Sequence, residues 1–298
     1  MALHASLPTR SLTLQVPDQF DLAGVSTSHG WYALAPYSWD SQSRILHRVE
    51  ALPSGTVTHL RIAQQGARLT VESGEVLTGA ESRELERRLR WCLRLDEDLS
   101  DFHDLCASDP ALCASVQASG GRLLRCPTLW EDVIKVILTT NTTWAQTRAM
   151  TSRLVATLGP QAHDDPALRA FPSPEAVASA SEEVFRLRIR LGYRNASVLA
   201  IAGDVVSGKL DLEALKQSDL PTPELRKRLL ALPGVGPYAA ATLLMILGKY
   251  DELGIDTELR SHVSRKYFRG EPVTEMQMKG VYDRWGRWRY LAYWFDPR

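Results

Sequence analysis

The spacing of hydrophobic residues changes once along the chain, near residue 80. Before that point, short segments rich in β-branched residues are separated by glycine-containing turns, as in antiparallel strands. These segments are Ser43–Val49, Val57–Ile62 and Arg68–Val71. Gln65-Gly66 lies between the last two, where a hairpin needs a tight turn. The pattern predicts a small antiparallel sheet at the N-terminus.

From Glu81 onward, apolar residues recur every three to four positions, which indicates helices. Thr128 with Glu131 has the pattern of a capping box. Thr222 followed by Pro223 predicts another helix start, because proline is favoured at the first helical position. The chain is therefore predicted to be α+β and dominated by helices.

The composition is ordinary for a globular protein, with 298 residues, of which 44% are hydrophobic and 23% are charged. We expect an N-terminal antiparallel sheet domain over residues 1–85 and a helical domain over residues 86–298. The first ten residues lack the basic start and apolar stretch of a secretory signal, and Ala239–Leu247 is too short to cross a bilayer. These features predict a cytoplasmic protein that does not enter the membrane.

The four cysteines lie at positions 92, 106, 113 and 126. No two of them have the close spacing of a zinc site or a redox motif, and no histidine pair completes a site. They are interpreted as free intracellular thiols, and no metal site built from side chains is expected.

The formal net charge is zero, which at first argues against a nucleic-acid partner. The charge is unevenly distributed, however. Residues 181–298 carry four more basic than acidic side chains, and the preceding residues carry four fewer. A local contact surface for DNA is compatible with this mild asymmetry.

The most informative stretch is LPGVGPY, at Leu232–Tyr238, which joins two predicted helices. Its two glycines allow a sharp turn and leave room for an approaching ligand. Amides at the start of the following helix form an anion site, so a DNA phosphate could bind Gly234, Val235 and Gly236 without a basic side chain. The alternative is a plain corner between two helices.

Asp256 lies in the segment GIDTELR, where Asp256 or Thr257 is the natural helix N-cap. The simplest interpretation is a cap that stabilises the helix by about 1 kcal/mol. Capping is compatible with catalysis, because amide donors keep a carboxylate ionised. An ionised carboxylate can stabilise an oxocarbenium-like transition state and position the attacking water.

The hairpin, followed 18 residues after Tyr238 by Asp256, resembles the helix-hairpin-helix DNA glycosylase superfamily. The segments RLLR at 122–125, LTTN at 138–141 and LGYR at 191–194 are similar to segments of 8-oxoguanine DNA glycosylases. The N-terminal sheet also resembles the 3-methyladenine DNA glycosylase II branch. The resemblance implies a mostly helical, two-lobed core after the sheet, a monomer, and duplex DNA with a damaged base as partner. Asp256 would be the catalytic carboxylate.

One departure from the family pattern concerns the mechanism. Members that also cut the strand carry a lysine where this chain has Tyr238. Tyrosine has no amine and cannot form a Schiff base with the sugar. We therefore expect hydrolysis of the N-glycosidic bond of an alkylated or oxidised purine, without lyase activity. Lys249 lies more than two helical turns away and is interpreted as a surface charge.

Two alternatives stay open. The chain could be a non-catalytic module that binds DNA or lesions through the hairpin, or an 8-oxoguanine glycosylase whose lyase activity uses another amine. The iron–sulfur members of the superfamily have four cysteines after the catalytic region, and this chain has none there. No cofactor is therefore expected, although a monovalent cation at the hairpin carbonyls is compatible with the motif.

In the resembling family, residues aligned with Asn141, Tyr193 and Arg194 enter the duplex and contact the base left without a partner. Their side chains suit that task, because tyrosine can wedge between bases while asparagine and arginine donate to base edges. Taken singly, each is also an ordinary loop or helix-end residue. Gln146 stands where the oxoguanine branch often has arginine, which weakens an expected preference for cytosine opposite the lesion. Trp144 is equally compatible with lining the base pocket and with packing in the core.

The aromatic residues near the C-terminus are expected to lie mostly in the core. They are Trp285, Trp288, Tyr290, Tyr293, Trp294 and Phe295. One of them could stack on the base, and the sequence does not select which.

Overall fold

The computed structural model describes residues 9–117, 120–163 and 165–297. The predicted absence of a secretory signal concerns residues that lie mostly outside these ranges. Five strands form one antiparallel sheet in the order β1-β5-β4-β3-β2. The strands are β1 Thr9–Gln15, β2 Tyr37–Asp40, β3 Ile45–Ala51, β4 Val57–Gln65 and β5 Arg68–Leu77.

The three predicted strands correspond to β3, β4 and β5, and the hairpin lies where it was expected. Gln65 pairs with Arg68, so Gly66 and Ala67 form a two-residue loop. Gly66 has φ +58°, a conformation that glycine adopts without strain. The outer strands β1 and β2 were not predicted from the sequence.

The helices occupy the rest of the described chain. They are α1 Leu22–Thr27, α2 Gly79–Cys92, α3 Ser100–Cys106, α4 Pro110–Gln117, α5 Leu129–Thr139, α6 Trp144–Leu158, α7 Pro174–Ala178, α8 Glu182–Val184, α9 Arg194–Val206, α10 Leu212–Lys216, α11 Thr222–Leu230, α12 Pro237–Ile246, α13 Thr257–Tyr267, α14 Glu275–Tyr282 and α15 Arg289–Phe295. Two 3₁₀ segments, Gly30–Ala33 and Asp283–Trp288, and a π segment, Phe185–Ile189, complete them. The α+β architecture dominated by helices is confirmed.

One hydrophobic core runs from the sheet into the helices. It contains sheet residues such as Leu60 and Ile62 together with helical residues such as Val133 and Leu243. The boundary predicted at residue 85 falls inside α2, whose buried face faces this same core. None of the helices in the described parts of the chain has the length and apolar character needed to span a membrane.

Helix α12 is buried from Ala239 to Ile246. Its last carbonyls lack intrahelical partners and are shielded from water, so they need other donors. Arg94 donates to the carbonyl oxygens of Met245 and Ile246 at 3.0 Å, and Arg125 donates to Ile246 at 2.9 Å. These two buried guanidinium groups fix the C-terminal end of α12.

Two predicted helix starts differ in detail. Thr128 caps α5 by accepting from the Glu131 amide at 3.2 Å, but the Glu131 carboxylate does not reach back to complete the capping box. Helix α11 already begins at Thr222, and the Thr222 hydroxyl donates to Asp251 at 2.8 Å instead of capping the helix. The side chains of Glu131 and Thr222 are instead held by residues distant in the sequence, which a local pattern does not reveal.

The Glu131 carboxylate lies in a buried ionic cluster between the sheet and α5. Arg48 of β3 donates to it at 2.6 and 3.1 Å, and Lys135 donates to it at 2.7 Å. Arg48 also pairs with Glu50 at 2.5 Å. Burial alone would raise the pKa of Glu131, but Arg48 and Lys135 outweigh it and lower the pKa to about 2. The cluster joins the sheet to the helices, and the Glu131 carboxylate within it stays ionised at neutral pH.

We expect Arg48→Ala to destabilise the protein by about 3–5 kcal/mol, because it removes a buried guanidinium that pairs with two buried carboxylates. The matched control is Arg61→Ala on the adjacent strand, where an exposed pair with Glu72 should contribute at most about 1 kcal/mol. Urea unfolding of the two variants measures the difference. Equal destabilisation would contradict a structural role for the buried cluster.

Candidate active site

The hairpin between α11 and α12 contains the two glycines of the motif, and they differ in kind. Gly234 has φ +81°, and a Cβ added there would lie 2.6 Å from the Ser197 hydroxyl oxygen. Gly236 has φ −93°, and a Cβ added there would meet nothing within 4 Å. Gly234 is therefore required by the protein's own packing, whereas Gly236 leaves open space outside the protein.

Val235 does not present its amide as the sequence suggested. Its N–H donates to the Leu232 carbonyl at 3.1 Å, and its side chain is buried in the core. Gly236 is the N-cap of α12, and no side chain among the described residues caps this helix. If an anion binds at this hairpin, the amides open to it are therefore those of the Gly236 region and the first turn of α12, not that of Val235.

Asp256 is the N-cap of α13, as one of the two sequence interpretations predicted. Its carboxylate accepts from the Leu259 amide at 2.7 Å, and Thr257 is the first helical residue. The side chain is only partly buried. The cap thus holds the carboxylate in place without removing it from contact with a ligand.

A groove of about 590 Å³ brings most of the predicted site residues together. Those that line it are Asn141, Tyr193, Gly234, Gly236, Tyr238 and Asp256. They come from four separate parts of the chain, so the groove exists only in the folded protein. We call it the outer groove.

A second cavity, of about 530 Å³, lies beyond the same wall. We call it the inner cavity. Tyr238, Asp256, Thr139 and Thr142 line both spaces. Six aromatic side chains line the inner cavity, namely Trp31, Trp144, Tyr238, Tyr290, Tyr293 and Trp294. A flat ring that entered from the outer groove would therefore pass Asp256 and come to lie among aromatic faces.

Tyr238 occupies the common wall beside Asp256. Burial, and after it the negative charge of Asp256, raises the pKa of Tyr238 above its usual value. The phenol therefore stays protonated and neutral at physiological pH. Lys249 lines neither the outer groove nor the inner cavity.

The three residues predicted to enter the duplex are adjacent but not equivalent. Tyr193 is 65% exposed, and the Asn141 amide donates to its hydroxyl at 3.3 Å. Arg194 is buried, and its guanidinium donates to the carbonyl oxygens of Thr140 and Asn141. The structure therefore presents Asn141 and Tyr193 on the surface, while Arg194 supports the loop that carries Asn141.

The structure also shows where the other aromatic and polar residues named in the sequence analysis lie. Trp144 is 41% exposed and lines the inner cavity, which favours the pocket interpretation over core packing. Gln146 completes a capping box with Thr143 at the start of α6. Trp285, Trp288, Tyr290, Tyr293 and Phe295 are buried as expected. Trp294 is half-buried in the cavity wall.

Sequence reasoning missed the contribution of the N-terminal region to the inner cavity. His29, Gly30 and Trp31 precede or begin a 3₁₀ segment and line the cavity. The Trp144 ring lies so close to Gly30 that a Cβ there would approach it to 2.3 Å. In the sequence, these residues appear only as a histidine and a glycine before a tryptophan, which is not a recognisable motif.

The folds of several solved structures match this arrangement. The 3-methyladenine DNA glycosylase from Archaeoglobus fulgidus matches with a TM-score of 0.77, covering 96% of this chain and 97% of that chain at 20% identity. An 8-oxoguanine glycosylase/lyase from Clostridium acetobutylicum, in its apo form, matches with a TM-score of 0.74, covering 99% of both chains at 15% identity.

This chain has the fold of these DNA glycosylases. The Clostridium enzyme in complex with double-stranded DNA containing cytosine opposite 8-oxoG also matches, with a TM-score of 0.74, covering 99% of this chain and 98% of that chain at 16% identity. No family model matches the sequence. The resemblance to the helix-hairpin-helix glycosylases is thus confirmed at the level of the fold.

The two hairpin glycines give a stability prediction. We expect Gly234→Ala to destabilise the protein by about 1–3 kcal/mol, because it combines a positive φ with a clash against Ser197. Gly236→Ala should change the free energy of unfolding by less than about 0.5 kcal/mol. Thermal or urea unfolding measures both. A Gly236→Ala variant as unstable as Gly234→Ala would show that Gly236 also has a packing role.

Proposed function

We propose that this protein is a DNA glycosylase that takes a damaged purine out of duplex DNA and hydrolyses its N-glycosidic bond. The observation that carries the proposal is the position of Asp256, whose side chain lines both the outer groove and the inner cavity. A base held in the cavity and a backbone held in the groove would have their sugar beside this carboxylate. Fold similarity to DNA glycosylases supports the same conclusion.

Asp256 carries the chemistry in this proposal. As the base departs, positive charge develops on the sugar, and a nearby carboxylate stabilises it. The carboxylate can also orient a water molecule toward the sugar carbon. The Leu259 amide holds the carboxylate in one orientation, so little reorganisation is needed during the reaction. The reaction uses water as nucleophile and needs no cofactor.

The proposed enzyme removes the base without cutting the strand. Lyase chemistry requires an amine that can attack the sugar and form a Schiff base. Tyr238 has none, and no lysine among the described residues lines the outer groove or the inner cavity. Lys249 follows the C-terminal end of α12, at the opposite end of that helix from Tyr238. Water is therefore the nucleophile that the site supports.

The inner cavity favours a positively charged purine, which means an alkylated rather than an oxidised one. Aromatic faces attract cations, and the carboxylates of Asp256 and Glu258 also line the cavity. No lysine or arginine in the described part of the chain lines it. Alkylation at N3 or N7 gives a purine nucleotide a positive charge, whereas oxidation at C8 leaves it neutral. The environment thus discriminates by charge.

The grip on DNA is proposed to rest on the hairpin rather than on basic side chains. Among the described residues, the buried charged side chains include seven basic and four acidic ones, so the surface carries a net negative charge although the formal total is zero. Such a surface does not attract phosphate as a whole. Amides at the start of α12 supply local positive potential. Asn141 and Tyr193, at the other end of the groove, would fill the gap left by the base.

We expect Asp256→Asn to lower the rate of base excision by at least about 100-fold, because the charge that stabilises the transition state is lost. Asparagine is as good a helix cap as aspartate, so the fold should survive. The matched control is Asp211→Asn, since Asp211 caps α10 through the Ala214 amide at 2.8 Å outside both spaces. Excision is measured on duplexes with alkylated, oxidised or deaminated bases. Full activity of Asp256→Asn would refute the mechanism, and no excision by the parent would favour a binding module.

The absence of lyase activity is tested by borohydride trapping. If water is the nucleophile, the parent protein releases the base but leaves no covalent protein–DNA adduct after reduction, and the strand stays intact until alkali is added. The variant Tyr238→Lys should trap to a measurable extent, because it places an amine beside the sugar. A covalent adduct of the parent protein would contradict hydrolysis by water.

Gly236→Ala tests the hairpin grip. A methyl group there projects into open space, so we expect unchanged stability but a loss of DNA affinity of roughly tenfold on damaged and undamaged duplexes alike, at matched salt. The control is Gly203→Ala on α9, where an added Cβ also meets nothing within 4 Å. Binding is measured by fluorescence anisotropy. Unchanged affinity of Gly236→Ala would rule out close approach of the DNA backbone at this point.

A further inference from the structure

His29 is a buried histidine in the wall of the inner cavity. It is 7% exposed, and its ring lies against Trp31 and Trp294 at centroid distances of 4.8 and 5.8 Å. It comes from the N-terminal region, immediately before the 3₁₀ segment, and belongs to none of the motifs identified in the sequence. The mechanism proposed above does not use it.

The hydrogen bond of the ring determines its tautomer. Nε2 lies 2.5 Å from the Leu124 carbonyl oxygen, and a carbonyl oxygen can only accept. Nε2 therefore carries the hydrogen and donates it. Burial, together with the charges of Arg94 and Lys135, lowers the pKa of His29 to about 4 although the Leu124 bond opposes the shift. The ring is neutral at physiological pH, and Nδ1 holds an unshared electron pair.

Nδ1 is the ring nitrogen left for a ligand. Within the described residues, the Leu124 contact is the only hydrogen bond of the ring. The ring lines the inner cavity with Nε2 committed to the backbone of Leu124. Nδ1 can therefore accept a hydrogen bond from a donor on a base held in the cavity.

Resting on the proposed function, we propose that His29 is a specificity-determining residue whose Nδ1 accepts a hydrogen bond from an exocyclic amino group of the purine. The ligand class is a damaged purine that keeps its amino group. A purine with oxygen in place of that group, or with hydrogen there, gives Nδ1 no donor and is excised more slowly. The aromatic faces and carboxylates favour a positively charged base, and His29 favours a base with an amino group on the edge that faces it.

The test compares excision rates within two matched pairs of bases in the same duplex. One pair is 7-methylguanine and 7-methylhypoxanthine, and the other is 3-methyladenine and 3-methylhypoxanthine. Both members of each pair are methylated at the same nitrogen. In the first pair hydrogen replaces the 2-amino group, and in the second pair oxygen replaces the 6-amino group and N1 gains a proton. We expect the parent protein to prefer the amino-bearing member of at least one pair by about tenfold.

Three variants separate recognition from structure. His29→Phe keeps a ring against the two tryptophans but removes the acceptor, and it should abolish the preference. The glutamine of His29→Gln can donate to Leu124 and still offer an oxygen as acceptor. This variant should therefore retain much of the preference for the amino-bearing base. The control His103→Phe removes a histidine that contacts the Gly120 carbonyl oxygen at 3.0 Å outside the cavity, and it should leave the preference unchanged. A merely structural role of His29 would slow both members of a pair equally.

The outcomes are distinguishable. If the folded parent excises none of the four bases but releases another damaged purine from the wider panel, the role of His29 is overturned and the proposed function stands. If it releases no base from either set, the proposed function fails and this inference fails with it. If the parent excises them without preference, or if His29→Phe keeps the parent's preference, only the role of His29 is overturned. If His29→Phe does not fold, the comparison of His29→Gln with His29→Leu supplies the same readout, because only glutamine retains an acceptor.

Discussion

The arrangement of the site depends on how α12 is held. This helix is apolar around its whole circumference, so it is buried, and its final carbonyls cannot be solvated. Arg94 and Arg125 satisfy them from two other parts of the chain, and Gly234 packs the opposite end against Ser197. With both ends held, α12 fixes the positions of Tyr238 and the hairpin. A helix free to slide would lose the common wall between groove and cavity.

Asp256 combines its structural role as a helix cap with the chemical role proposed for it. Its carboxylate caps α13, and the same carboxylate faces the space where a sugar would lie. The cap orients the group before any substrate arrives, which is what electrostatic stabilisation of a transition state requires. The orientation that stabilises the helix is therefore also the orientation that the proposed chemistry requires. Tyr238 has a different effect, because a neutral phenol in that position cannot form a Schiff base with the sugar as an amine would.

The formal net charge of zero conceals a difference between the interior, which has an excess of basic side chains, and the surface. Several arginines serve the interior, where Arg48 neutralises carboxylates and Arg194 supports the Asn141 loop. The surface is left with a net negative charge, so in the proposed function helix-terminal amides and inserted side chains, rather than overall charge, would bind the polyanion. The inner cavity has a similar character, because aromatic faces and carboxylates line it and no lysine or arginine of the described residues does.

Local features of the chain were sufficient to predict the sheet hairpin, the helical character, the turn at Gly234 and Gly236 and the cap at Asp256. Each depends on residues a few positions apart, and short-range sterics and hydrogen bonding determine them. The outer strands, the buried position of Arg194 and the place of His29 could not be predicted in this way. His29 and Leu124 are 95 positions apart, and their contact exists only because the N-terminal region folds over the helices. Burial, tautomer and cavity shape arise from such distant contacts, so tertiary packing decides them.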